Sequence, residues 1–225
     1  MTQHSEIPGN PAKPEATQPS EAPKTSRTSV RRQFPDDPNF LNDKVILDTN
    51  VLANFFKTPH EVLNKVGGRP IHHSAVIRLE LAKYYKDPVL PLDDTRKFAD
   101  SILGAFNSTL LPDTADMEKI AKIITHFLLL AGIQFKEVKA AKNDIRIMAC
   151  GIVHKADIVT SDRLFYVMGK IFKTNIRIIF LGKPPEGWAT TARNTLKNQG
   201  FSTPIDLWEL ALNQDFTQRV LGLQL

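Results

Sequence analysis

Apolar residues fall in short, dense bursts, and the gaps between them carry a helical period. Val45-Ile46-Leu47 is a continuous apolar run, the mark of a strand buried on both faces. Asp48-Thr49-Asn50 ends it, and Thr49 or Asn50 is placed to cap a helix over Val51–Phe56. Pro70 to Ser74 reads as a second short strand, with Ser74 capping a helix that runs to about Lys86 and stops at Pro88 and Pro91. Residues 93–106 are amphipathic, and Thr109 to Pro112 suit an edge strand. Asp113 or Thr114 then caps a helix carrying Met117, Ile120, Ala121, Ile124, Phe127, Leu128 and Ala131 at i, i+3, i+4, i+7 spacing. Lys139–His154 is the next predicted helix, and Asp157–Thr160 and Ile176–Leu181 are two further strands. Strands alternating with helices predict an α/β fold with a mostly parallel central sheet.

The two ends of the chain differ from this middle. Residues 1–42 are rich in Pro, Ser, Thr and Glu, with almost nothing large and apolar before Phe34. Such a segment buries too little surface to offset its ordering entropy and is expected to be a disordered tail. The fold is expected over 43–182. Beyond it, the breaker Lys183-Pro184-Pro185-Glu186-Gly187 introduces a helical C-terminal extension over 183–225, with helices near Ala189–Asn198 and Ile205–Gln214.

Charge adds a modest bias. The formal net charge is +5, and the tail's five basic and five acidic residues cancel, so the excess belongs to the folded part. That favours a polyanion partner without requiring one. Cys150 is the single cysteine, so no internal disulfide or Cys/His zinc pattern is available. The most apolar helical stretch, Phe127 to Ile133, is far shorter than the roughly 20 residues of a membrane span. No secretion-signal pattern opens the chain, and a soluble cytoplasmic protein without a membrane partner is expected.

Four acids carry the candidate chemistry. On the helix after Ser74, Glu80 falls within the face formed by Val76, Ile77, Leu81 and Tyr84, while Arg78, Lys83 and Lys86 point elsewhere. On helix 139–154, Asp144 sits among Ile147, Met148 and Gly151, opposite Lys142 and Arg146. Asp48 closes the first strand, and Asp162 follows Ile158-Val159-Thr160 by two residues. Open α/β sheets form their sites outside the carboxyl ends of the strands, where helices that lead from strands can also return Glu80 and Asp144. Asp157 begins its strand and is expected at the far end, in a structural role. Four acids at one place repel and desolvate one another, and a divalent cation relieves both penalties. Carboxylate oxygens are the hard ligands that Mg²⁺ and Mn²⁺ prefer.

These segments resemble the motifs of PIN-domain ribonucleases, most nearly the VapC-type toxins. Val45-Ile46-Leu47-Asp48-Thr49-Asn50-Val51-Leu52 is similar to their opening motif, and Ser74 followed by a helix bearing Glu80-Leu81 to their second. Asn143-Asp144 with Ile145, Ile147 and Ala149 resembles the third, and Thr160-Ser161-Asp162 with Phe165 the last. The resemblance spans about residues 44–181. It implies a PIN-like three-layer sandwich that hydrolyses RNA with Mg²⁺ or Mn²⁺ held by Asp48, Asp144, Asp162 and Glu80, Glu80 alternatively orienting the attacking water. It also implies an antitoxin partner and a homodimer, with helices near 93–130 or the C-terminal extension as candidate surfaces.

Beside the acids, Thr49, Asn50, Thr160 and Ser161 are candidates to fix the carboxylates by hydrogen bonds. Lys142, Arg146 and Arg163 are candidates for phosphate contacts, and their alternative is a solvated helix face. His72 and His73 are read as structural, while Tyr84 and Trp188 are read as core packing with base stacking as the alternative. Two other functions fit the same residues: an RNA-binding or assembly scaffold without turnover on the same fold, and a structure-specific DNA nuclease.

Overall fold

A computed structural model describes residues 41–85, 92–213 and 215–216. Apart from Leu41 and Asn42, the expected tail lies outside the described residues, as do Lys86, Pro88 and Pro91. In chain order the elements are β1 (Lys44–Leu47), α1 (Thr49–Ala53), a 3-10 turn (Phe55–Lys57), α2 (Pro59–Val66), β2 (Ile71–Ser74), α3 (Ala75–Tyr84), α4 (Leu92–Ala105) and β3 (Thr109–Leu111). They continue with α5 (Ala115–Leu130), α6 (Phe135–Ala140), α7 (Lys142–His154), β4 (Ala156–Thr160), α8 (Arg163–Ile171), β5 (Phe172–Lys173), β6 (Ile178–Phe180), α9 (Glu186–Asn198), β7 (Ile205–Asp206) and α10 (Leu207–Leu212).

The apolar burst of β1 is the centre of the main sheet. Val45, Ile46 and Leu47 are fully buried, which a strand covered on both faces requires. The sheet runs β3-β2-β1-β4-β6, and each of its strand pairings is parallel. Ile46 stands opposite His72 on one side and Ile158 on the other. The predicted edge strand is at the edge, as β3. The chain builds outward from β1 in one direction and then, after β3, from β4 in the other. Right-handed crossovers therefore place α2, α3 and α4 on one face and α5 to α8 on the opposite one. The order reverses between β1 and β4, and that reversal is the topological switch point where open sheets leave a crevice.

Several local readings change. The cap of α1 is Asp48, whose side chain accepts from the Thr49 amide, so Thr49 and Asn50 lie inside the helix. The predicted helix 139–154 is two helices, α6 and α7, that meet at Ala141. Helix α2 has only Val62 and Val66 buried, too sparse a pattern to read, yet it has a Pro at its first position and left-handed Gly67 at its end. Helix α8 was also not anticipated, although Asp162 caps it. Residues Ile205–Asp206 form β7, which pairs with β5 before α10 begins. Tyr84, expected on the buried face of α3, lies in its last turn and is 57% exposed, its ring edge-on against Tyr85 instead of the core.

The core lies between the sheet and its helices, with Phe127 of α5 and Phe165 of α8 among its largest fully buried side chains. The residues beyond Lys183 join it: α9 packs on α8 and α10 on α5, burying Ala189, Ala192, Leu196 and Leu207. Cys150 is fully buried within α7, where burial pushes its thiol up to about 12.

Candidate active site

Three of the four acids occupy helix N-termini at one edge of the sheet. Asp48 caps α1 directly after β1, and Asp162 caps α8 two residues after β4, with its Oδ1 accepting from the Leu164 amide at 2.6 Å. Asp144 is in the first turn of α7. Since α7 leads into the amino end of β4, its own start lies at the carboxyl edge. The positive ends of these helix dipoles favour carboxylates there. Glu80 arrives from the opposite face of the sheet, midway along α3.

Each carboxylate but one is fastened. Thr160, the last residue of β4, donates its hydroxyl to Asp48 Oδ2 at 2.9 Å and accepts from the Asp162 amide at 2.9 Å. Thr49 donates its amide to Asp48 Oδ1 at 2.7 Å and its hydroxyl to Glu80 Oε2 at 2.6 Å. The Asn143 amide group donates to Glu80 Oε1 at 2.7 Å. Asn143 stands in the third motif but carried no predicted role; its signal was its place one residue before Asp144. The Asp144 carboxylate receives no hydrogen bond among the described residues.

The acids feel one another. Burial first, then repulsion by Asp162 and Glu80, outweighs the hydrogen bonds from Thr160 and Thr49 and holds Asp48 at about 7. Asp144 is pushed up to about 8, again by burial first, then by Asp48, Asp162 and Glu80. Even so, among the described residues no three His, Cys, Asp or Glu side chains stand ready-made around a metal ion. The acids share a field and an edge, with the oxygens of Asp48 and Glu80 turned to hydrogen-bond partners.

An open cleft of about 540 Å³ runs past Asp144 and Asp162. Asn50, Glu137, Ser161 and Arg163 line its polar part, and Ala140, Ala141, Leu164 and Trp188 its apolar part. Asn50 and Ser161 are exposed and hydrogen-bond none of the four acids, so the fastening falls to Thr49, Thr160 and Asn143. Glu137 is a third acid of the cleft, beside Asp144 and Asp162, that the sequence did not suggest. Of the basic candidates, Arg163 lines the cleft, Lys142 is an exposed residue at the start of α7, and Arg146 is turned to Asp113 at 3.6 Å.

The residues read as structural are accounted for elsewhere. Asp157 is fully buried at the amino end of β4, where it accepts from Arg69 at 2.7 Å, from the Asn42 side chain at 2.7 Å and from the Arg177 amide at 3.0 Å. His73 shares a hydrogen bond with the Ser108 hydroxyl at 2.9 Å, and burial lowers the pKa of both His72 and His73.

No protein-family model matches this chain, and no curated protein matches it. Among solved structures it is similar to VapBC2 from Rickettsia felis, which was crystallised with a DNA fragment from its promoter. The identity is 17%, the TM-score 0.44, and the alignment covers 60% of this chain and 96% of the other. Among the described residues no helix is long and apolar enough to cross a membrane.

Proposed function

We propose that this protein is a metal-dependent endoribonuclease that hydrolyses RNA phosphodiester bonds. The observation that carries the reading is the gathering of Asp48, Glu80, Asp144 and Asp162 at the switch-point edge, with Asp48 and Asp144 held at about 7 and 8 by burial and mutual repulsion. Acids that repel one another across this edge favour a hard cation, and their oxygen-only donor set suits Mg²⁺ or Mn²⁺ once the side chains turn toward it. Asp48, Asp144 and Asp162 would hold it, with Glu80 as a fourth ligand or as the group that orients the attacking water. Bound there, such an ion lowers the pKa of water and neutralises charge that develops on the phosphate.

The chain's own residues supply the rest. Thr160 locks Asp48 and the Asp162 backbone to one strand end, so two of the acids are preorganised before substrate arrives. Thr49 and Asn143 clamp both oxygens of Glu80, which fixes the direction from which it accepts a proton. Asp144, without a hydrogen bond to give up, turns most cheaply toward a cation. Arg163 at the cleft offers a phosphate a charged donor. The RNA preference and the role as toxin of a toxin–antitoxin pair rest on the motif resemblance.

Cleavage of RNA, single-stranded DNA and flap DNA with Mg²⁺ or Mn²⁺ tests the reading, alongside Asp48→Asn and Asp144→Asn. RNA cleavage that is lost in both variants while the fold survives is expected. Full activity in both would overturn the site, preferential cutting of flap DNA would make it a DNA nuclease, and no Mn²⁺ binding at millimolar concentration by calorimetry would make it a scaffold. Growth arrest on induction of the wild type, but not of Asp144→Asn, is expected of a toxin.

A further inference from the structure

We infer that Trp188 is a base-stacking platform, so that the cleft takes an unpaired base of single-stranded RNA beside the scissile phosphate. The inference rests on the ribonuclease reading for its substrate, but on different residues. Trp188 lies in the first turn of α9, beyond the segment that carries the four motifs. It is half-buried, with part of its indole against the core and part lining the same cleft as Asp144, Asp162 and Arg163.

Two anchors hold it there. The Tyr166 hydroxyl of α8 hydrogen-bonds the Glu186 carboxylate, two residues before the indole, and the Trp188 amide donates to the Pro185 carbonyl at 3.2 Å. On the other side, Ala189 is fully buried and seats α9 on α8. The first turn of α9 that carries the ring is therefore held in place, which lowers the cost of ordering the indole when a flat guest arrives. Beside it, Leu164, Ala140 and Ala141 make an apolar wall that suits a base, while the acids and Arg163 mark where charge belongs. A volume of about 540 Å³ is ordinary for a small-molecule-sized guest. Stacking needs an open π-face, which a base offers only when it is unpaired.

The chain has two tryptophans, so Trp208→Phe leaves Trp188 as the sole indole. In that protein, with Ca²⁺ in place of Mg²⁺, a short oligoadenylate is expected to quench the fluorescence, while an abasic strand of equal length and an RNA duplex do not. Steady-state cleavage of single-stranded RNA is expected to show KM raised roughly tenfold in Trp188→Leu, which keeps apolar volume but lacks a π-face, and largely restored in Trp188→Phe. Equal quenching by the abasic strand, or an unchanged KM in Trp188→Leu, would overturn the inference and leave the nuclease reading intact. Base-dependent quenching by a protein that cuts no RNA would sink the nuclease reading and support the stacking site.

Discussion

The Thr160 hydroxyl reaches across from β4 to Asp48 at the end of β1, donating at 2.9 Å while it accepts from the Asp162 amide. One fully buried side chain thus sets two of the four acids. Thr160→Val keeps the shape and removes both bonds, leaving a buried carboxylate oxygen and an amide without partners. A loss of about 1–3 kcal/mol is expected by urea denaturation, with a large fall in cleavage. Thr160→Ser should recover most of both. Wild-type activity in Thr160→Val would show that the hydroxyl positions nothing.

The site should make stability depend on pH in an unusual direction. Asp48 and Asp144 titrate near the ordinary 3.8 when unfolded and at about 7 and 8 when folded. The folded state therefore binds more protons between these values, and stability falls as pH rises through that window. The penalty is absent below the unfolded pKa and complete above the folded ones. In chelator, denaturation midpoints should decline from about pH 4 to about pH 8. Asp144→Asn should flatten the decline and raise the midpoint at its alkaline end, because the buried charge and its repulsion of Asp48 are gone. Mg²⁺ should raise the midpoint more at about pH 8 than at about pH 5. A midpoint that climbs with pH across this range would contradict the arrangement.

Asp157 is an acid on a buried strand whose partners lie at the end of the sheet away from the four acids. Its carboxylate neutralises Arg69 and satisfies Asn42 and the Arg177 amide at the opposite end of β4 from Asp162. Asp157→Ala strands those donors and should cost about 3–5 kcal/mol in chemical denaturation. The folded variant should bind Mn²⁺ with wild-type affinity by calorimetry. A matching loss of affinity would mean that the two ends of β4 are not independent.

Gly151 lets α7 lie close against β4. A Cβ there would stand 2.9 Å from the Ala156 carbonyl and 3.0 Å from the Ile158 side chain, so Gly151→Ala must push the helix away. Overpacking of this kind costs about 1–3 kcal/mol. Because Asp144 rides on the same helix, cleavage should fall as well, measured below the variant's melting point. Gly104→Ala, an open position in α4, is the contrast and should stabilise by about 0.5–1 kcal/mol. Equal effects at the two glycines would refute the packing argument.

The apolar bursts were enough, read alone, to determine the parallel sheet, its edge strand and the placing of Asp48 and Asp162 at one of its ends. A strand buried on both faces must be continuously apolar, so the first carboxylate after it marks where the core stops. The same logic separated Asp157 from Asp162 only five residues apart. What escaped were elements whose signals lie in caps and contacts: α2 behind Pro59, and β5 with β7, pairs of residues that become strands only by finding each other.

The tertiary structure alone decided what holds each acid. Thr49 meets Glu80 across 31 positions, Asn143 meets Glu80 across 63, and Thr160 meets Asp48 across 112. It also carried Trp188 into the cleft beside Asp144 and left Asn50 and Ser161 facing solvent. Periodicity reports which side of an element is buried, because burial acts on each residue through its own transfer from water. Hydrogen bonds and clefts depend on which distant segment lies opposite, and only the assembled sheet with its crossovers settles that.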